Sequence, residues 1–185
     1  MEATSTWFNL KDMVLMALFA AVICALAPFS VPIGPVPVSL ATLVIYFSVF
    51  VLGWQRALIA TSIYLLIGIA GLPVFSGFGS GIGKIVGPTG GYLLGYLFMI
   101  IPCGLFLQIK SEKPWMNYLL RFVGMVLGTA VLYAFGTAWF CFSTGSELWT
   151  ALLTCVFPFI LGDLVKIVLA LVIAPKLAEQ IKKIG

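Results

Sequence analysis

Long apolar runs separated by short polar breaks constrain the fold of this chain more than any other feature. Five runs cover residues 13–27, 39–52, 57–70, 92–108 and 118–142, and a sixth begins near Leu148 and continues past Ala174. A bilayer-spanning helix needs about 20 mostly apolar residues. Only 9% of the 185 residues are charged, whereas soluble domains carry about 25%. The sequence therefore predicts an all-α integral membrane protein with six transmembrane helices, forming one domain over residues 1–185.

The few polar residues also exclude other classes of protein. The sequence has no histidine, and its four cysteines lie inside apolar runs without a CxxC pair, so we expect no metal site and no bound cofactor. The basic residues stand singly or in pairs and form no stripe for nucleic acid. Residues 79–84 approach the phosphate-binding loop pattern, but Phe78 and Ile85 occupy two of its required positions. We expect neither a nucleic-acid partner nor an enzyme.

The lysines and arginines predict the orientation in the membrane. With the N-terminus in the cytoplasm, eight of the ten basic residues lie inside, Lys84 lies outside and Lys166 lies within a span. The positive-inside rule favours this arrangement, in which both termini are cytoplasmic. The proline-containing segment 28–38, the glycine-rich segment 71–91 and the connection around Glu147 are then all on the outer side. Together they predict a ligand cavity that opens outward.

Two of these outer segments have unusual compositions. Segment 28–38 is uncharged and contains four prolines, including Pro32 and Pro35, which is typical of a stiff loop capping a bundle at the membrane surface. Segment 71–91 contains eight glycines and two prolines, and irregular backbone at membrane depth needs protein or a cavity around it. We interpret it as a loop that closes over a ligand. Its predicted ligand contacts are Gly77, Gly79, Ser80 and Thr89.

Asp163 and Lys166 are the strongest candidates for a binding site. Counting back from Lys176 at about 1.5 Å per residue places Asp163 roughly 20 Å from the inner flank, in the outer half of the hydrocarbon core. Charges at such depth are costly and usually face the bundle interior or a cavity, and the i, i+3 spacing puts both on one helix face. Either they form a salt bridge that locks the last helix, for which Pro158 predicts a kink, or they bind a ligand. A cyclic urea could donate N–H groups to Asp163 and offer its carbonyl to Lys166, and a carboxylate could pair with Lys166 alone.

Other side chains near the predicted cavity have two interpretations. Tyr92 and Trp139 lie near the outer ends of their spans. They belong either to an interfacial aromatic belt or to a ligand site in which they stack on the ligand. Ala17, Ala21 and Ala25 recur every four residues on the first helix. Such a small-residue face allows close approach by another helix, either within the chain or from a partner.

Three blocks of sequence are distinctive in combination. The first is Val36–Leu40, the second joins Ile69–Phe75 with Gly87–Tyr92, and the third joins Pro158–Phe159 with Gly162–Lys166. Together they resemble the BioY family, the biotin-binding S-components of energy-coupling-factor (ECF) transporters. The resemblance extends over residues 11–174. It departs from the family pattern at Ala41, where glutamine is common, and at Leu161, where proline is common.

The resemblance implies a function, a location and partners. It implies a biotin-capture subunit in the cell membrane, with an outward-facing site beneath the first and third loops where Asp163 and Lys166 bind biotin. It also implies that the alanine face of the first helix meets a transmembrane coupling subunit, and that two ATPase subunits supply the energy. Lys84 is then either a cation for the biotin carboxylate or a solvated loop lysine. The alternatives are an S-component for another vitamin or small amphipathic acid, and a ligand-free membrane scaffold subunit.

Overall fold

The computed structural model describes residues 9–31 and 36–183, and most of them are helical. The elements are α1 Leu10–Leu26, β1 Ser30–Val31, β2 Val38–Ser39, α2 Ala41–Leu52, α3 Trp54–Ile69, α4 Ile82–Val86, α5 Gly90–Gln108, α6 Pro114–Thr144, α7 Leu148–Cys155 and α8 Phe157–Lys183. The first five predicted apolar runs form α1, α2, α3, α5 and α6, and the last run forms α7 and α8. Strands β1 and β2 pair antiparallel as a short hairpin.

Helices long and apolar enough to cross a membrane confirm the class of fold. Within residues 9–31 and 36–183 there are three: α5, α6 and α8. The helices α2 and α3 are apolar but shorter, at 12 and 16 residues. The chain is therefore a helical, multi-pass membrane protein. The count of six spans and the cytoplasmic termini stay predictions.

The predicted kink at Pro158 is found as a break between two helices, two residues before the proline. The chain leaves helical geometry at Val156 (φ −125°, ψ −61°), which ends α7, and α8 begins at Phe157. Pro158 is thus in the first turn of α8. Proline is tolerated there because the first N–H groups of a helix have no intrahelical partner anyway.

Glycines on α5 and α6 bring these two helices into close contact. A Cβ atom on Gly136 would overlap the ring of Tyr92, and one on Gly91 would overlap the side chain of Trp139. Both aromatic side chains therefore pack directly against the backbone of the opposite helix. This packing fixes the positions of Tyr92 and Trp139 relative to both helices.

The first connection (between α1 and α2) and the third connection (between α3 and α5) meet at one end of the bundle, as the sequence predicts. The Gly77 amide donates a hydrogen bond to the Pro28 carbonyl oxygen, with an N···O distance of 3.0 Å. Most of the glycine-rich segment is irregular, apart from a 3₁₀ turn at Ser76–Phe78 and the five-residue helix α4. The hairpin was not predicted from the sequence, and Pro32 and Pro35 lie outside the described residues.

Candidate functional site

Asp163 and Lys166 form a buried ion pair on α8. The Lys166 Nζ atom lies 2.9 Å from Asp163 Oδ1. The two residues are only 6% and 8% exposed. Their side chains share one helix face, as the spacing predicts. A buried pair of this kind needs further hydrogen bonds to offset its desolvation.

Lys166 has those further bonds, and they use its whole donor capacity. Besides Asp163, its ammonium donates to the Ser39 carbonyl oxygen at 2.7 Å and to Thr42 Oγ1 at 3.1 Å. A lysine ammonium has three N–H donors, and all three are engaged. Lys166 therefore ties α8 to the end of β2 and to the first turn of α2.

Asp163 also has a second partner that the sequence did not reveal. The Tyr133 hydroxyl on α6 donates to Asp163 Oδ2 at 2.5 Å. With Lys166 on Oδ1, each carboxylate oxygen holds one donor. An ionised carboxylate offers about four acceptor positions, so Asp163 can still accept hydrogen bonds from a ligand.

A small cavity of about 40 Å³ lies against this ion pair. Ordinary ligand pockets measure about 300–1,000 Å³, so this cavity alone is smaller than a ligand pocket. The predicted contact Tyr92 lies on its wall, but its hydroxyl is 3.2 Å from both Thr137 Oγ1 and the Cys155 carbonyl oxygen. The lining residues are Val36, Pro37, Val38, Ser39, Thr42, Tyr92, Tyr96, Leu132, Tyr133, Phe159, Asp163 and Lys166.

A larger, open groove of about 500 Å³ adjoins the cavity, and the two share Val38, Ser39 and Lys166. The groove lies between the hairpin and the third connection, where Gly77 and Phe78 form part of its wall. Its position makes it a path from the loops to the ion pair. Of the predicted loop contacts, Gly77 alone lies on the described walls of this groove.

The structure places the other predicted ligand contacts away from both walls. The Trp139 Nε1 atom donates to the Gly87 carbonyl oxygen at 3.0 Å, which ties α6 to the third connection. The Lys84 side chain lies against Gly79, and Ser80 is exposed. The contacts that line neither the cavity nor the groove are Gly79, Ser80, Lys84, Thr89 and Trp139. Their role in binding stays a prediction.

The two departures from the family pattern have different surroundings. Leu161 is 75% exposed, so it points away from the ion pair. Ala41 is fully buried, and its backbone amide donates to Ser39 Oγ at 3.0 Å. Ala41 precedes Thr42, so the position commonly held by glutamine adjoins the ion-pair network.

The alanine face of α1 is open in this chain. Ala17, Ala21 and Ala25 are all exposed, while the buried side of α1 includes Phe19 and Ile23. Within residues 9–31 and 36–183 this face is not buried by the chain, so the interpretation as internal packing is wrong for that part of the protein. A partner surface and a mere excess of alanine stay open.

In a helical membrane bundle, a buried ion pair beside a cavity is typical of a substrate or ion pathway. The comparisons with known proteins agree. The family model described as the BioY family matches residues 1–183. The chain belongs to the BioY family, whose members are transporter components and not enzymes.

Individual relatives cover nearly the whole chain. It is 34% identical to the biotin transporter BioY of Thermotoga maritima over 170 residues, which are 92% of this chain and 97% of that one. It is 37% identical to the biotin transporter BioY2 of Lactococcus lactis over 163 residues, 87% of this chain and 86% of that one. The crystal structure of an S-component for biotin from an ECF-type ABC transporter has a TM-score of 0.84, with 29% identity over 96% of this chain and 95% of that one.

Proposed function

We propose that this chain captures biotin at the outer side of the cell membrane, as the substrate-binding subunit of an ECF transporter. The observation that carries the proposal is the buried Asp163–Lys166 pair against a cavity, in a chain whose relatives are named biotin transporters. A charge pair at such depth is expensive in a purely structural role. Its position beneath the first and third connections suits ligand capture.

Biotin has the chemistry that the cavity walls would complement. Its ureido N–H groups are donors for the free acceptor positions of Asp163. Its fused rings and aliphatic tail suit the apolar walls, which include Val36, Leu132 and Phe159. The carboxylate at the end of the tail would lie towards the open groove. Because the cavity alone is smaller than a ligand pocket, biotin would also occupy the adjoining groove, which shares Val38, Ser39 and Lys166 with it.

Uptake of labelled biotin into a biotin-requiring bacterium tests this function. Cells producing the chain should take up biotin, and an excess of unlabelled biotin should compete while other vitamins should not. Stronger competition by another vitamin or small amphipathic acid would reassign the ligand. Absence of uptake and of binding for every compound would favour a ligand-free scaffold.

The proposal includes six spans, both termini in the cytoplasm and a cavity facing outward. The distribution of basic residues supports this orientation, and so does the meeting of the first and third connections beside the site. Single cysteines introduced at Lys84 and Lys113, in a chain whose native cysteines are replaced, test it. A membrane-impermeant maleimide should label intact cells at position 84 only. Labelling at position 113 only would reverse the orientation.

We further propose that the exposed alanine face of α1 binds the transmembrane coupling subunit, with two ATPase subunits supplying energy. Small side chains allow the closest helix approach, so Ala21→Leu should block assembly with the coupling subunit. It should leave biotin binding unchanged. The matched control is Ala134→Leu, because Ala134 is also an exposed helical alanine, on α6. Equal assembly of both variants would contradict this interface.

A further inference from the structure

The ion pair leaves a ligand without a hydrogen-bond donor. All three N–H groups of Lys166 are engaged by Asp163, Ser39 and Thr42. The Tyr133 hydroxyl donates its single proton to Asp163. A ligand carbonyl could therefore bind Lys166 only by breaking one of these buried bonds, which is costly. Another donor in the cavity would avoid that cost.

Tyr96 supplies such a donor. It lies on α5 one turn after Tyr92, lines the cavity and is 7% exposed. Within residues 9–31 and 36–183 its hydroxyl has no hydrogen-bond partner, in contrast to the hydroxyls of Tyr92, Tyr133 and Tyr46. The Tyr64 hydroxyl has no partner there either, but Tyr64 does not line the cavity. Hydroxyls in protein interiors are normally hydrogen-bonded, so an unpartnered one on a cavity wall points to a ligand atom.

Thr42 is the other hydroxyl beside the cavity. Its oxygen accepts a hydrogen bond from Lys166 at 3.1 Å, which fixes the side chain within the ion-pair network, but within residues 9–31 and 36–183 its own proton has no acceptor. Both hydroxyls are therefore available as donors to a carbonyl oxygen. Tyr96 is favoured because no protein hydrogen bond among the described residues fixes the direction of its hydroxyl.

We propose that the Tyr96 hydroxyl donates a hydrogen bond to the carbonyl oxygen of the bound ligand. For biotin, on which the proposed function rests, this atom is the ureido oxygen. Asp163 accepts the ureido N–H groups from one side of the ring system, and Lys166 keeps its three present bonds. Tyr96 thereby makes the site selective for cyclic ureas over analogues that have a poor acceptor in place of the oxygen.

The test combines one substitution in the protein with one atom exchange in the ligand, as in a double-mutant cycle. Calorimetry of the detergent-purified full chain would compare biotin with 2-thiobiotin, whose sulfur is a weak acceptor. Tyr96→Phe should weaken biotin binding about tenfold and 2-thiobiotin binding by about twofold or less. Tyr46→Phe is the matched control, because it removes a buried hydroxyl that bonds Thr129 at 2.6 Å and does not line the cavity. It should leave the preference for biotin over 2-thiobiotin unchanged.

Each other outcome has a defined meaning. Equal losses for both ligands in Tyr96→Phe, or no loss at all, would overturn the assignment while leaving biotin binding in place. A selective loss in Thr42→Val instead would also overturn it. Should Tyr96→Phe not fold, Tyr96→Gln restores an N–H donor and should keep the preference for biotin; loss of that preference would count against the proposal. Failure of the unsubstituted chain to bind biotin would overturn the proposed function itself.

Discussion

Asp163→Asn is the substitution whose consequences the structure defines best. The amide keeps the size of the carboxylate but removes its charge. Lys166 is 8% exposed, so its ammonium would stay buried without a counterion. It would keep its bonds to the Ser39 carbonyl oxygen and Thr42 Oγ1. The ligand would meanwhile lose a charged acceptor for its N–H groups.

The magnitude follows from these contacts. The unpaired Lys166 is present with and without biotin, so its cost lowers the stability of the folded chain and leaves the biotin affinity unchanged. The affinity falls because the ligand N–H groups now meet a neutral acceptor: a hydrogen bond to a charged group contributes about 1.5–3 kcal/mol, and one to a neutral group about 0.5–1.5 kcal/mol. A difference of about 1.4 kcal/mol corresponds to about a tenfold weaker affinity for biotin.

Isothermal titration calorimetry of the purified chain measures this loss directly. Glu179→Gln is the matched control, because it makes the same chemical change on the same helix. Glu179 pairs with Lys183 at 2.9 Å, but their side chains are 67% and 62% exposed, and exposed pairs contribute little. Unchanged biotin affinity in a folded Asp163→Asn chain would refute the placement of the ligand at the ion pair.

Three further outcomes are expected. Exchanging the pair (Asp163→Lys with Lys166→Asp) should lower the melting temperature even without biotin, because a carboxylate at position 166 cannot donate to the Ser39 carbonyl oxygen; unchanged melting would contradict this network. Gly128→Ala should lower the melting temperature because its Cβ would overlap α5; Gly83→Ala, with open space around it, should not, and equal melting would contradict this packing. Trp139→Phe should lower thermal stability but change the biotin Kd less than Asp163→Asn; the reverse order would place Trp139 on the ligand.

The helices could be predicted from the sequence because each apolar run must satisfy its own backbone in a membrane. The run at 39–52 became α2 at Ala41–Leu52. The run at 118–142 became the longer α6 because helix ends depend on caps as well as hydropathy. Pro114 is at the first position of α6, where proline is favoured.

Helix breaks and tight turns were harder to predict. Pro158 predicts an interruption of the last helix, and the break lies at Val156, two residues earlier. Proline cannot continue a helix, because it has no N–H and its ring clashes with the preceding turn. The residue at which the helix ends also depends on contacts that the sequence does not show. The β1–β2 hairpin depends on contacts across the first connection, and its two-residue strands are too short for an alternating pattern.

The ion pair could be predicted and its hydroxyl partners could not, for the same physical reason. A charge inside an apolar run is costly, so Asp163 and Lys166 stand out by residue type alone. Tyr133, Tyr96 and Thr42 carry no charge, and such side chains are common in membrane helices. Their roles depend on how α2, α5 and α6 are rotated towards α8, and hydropathy does not determine that rotation.

Native mass spectrometry of the detergent-purified chain in the presence of biotin tests the central claim most directly. We expect the 20.0 kDa chain to carry a single added biotin. At the same ligand concentration, the biotin adduct should be lost in Asp163→Asn and retained in Glu179→Gln. A chain that binds no biotin under these conditions, or binds it equally in both variants, would contradict capture of biotin at the Asp163–Lys166 pair.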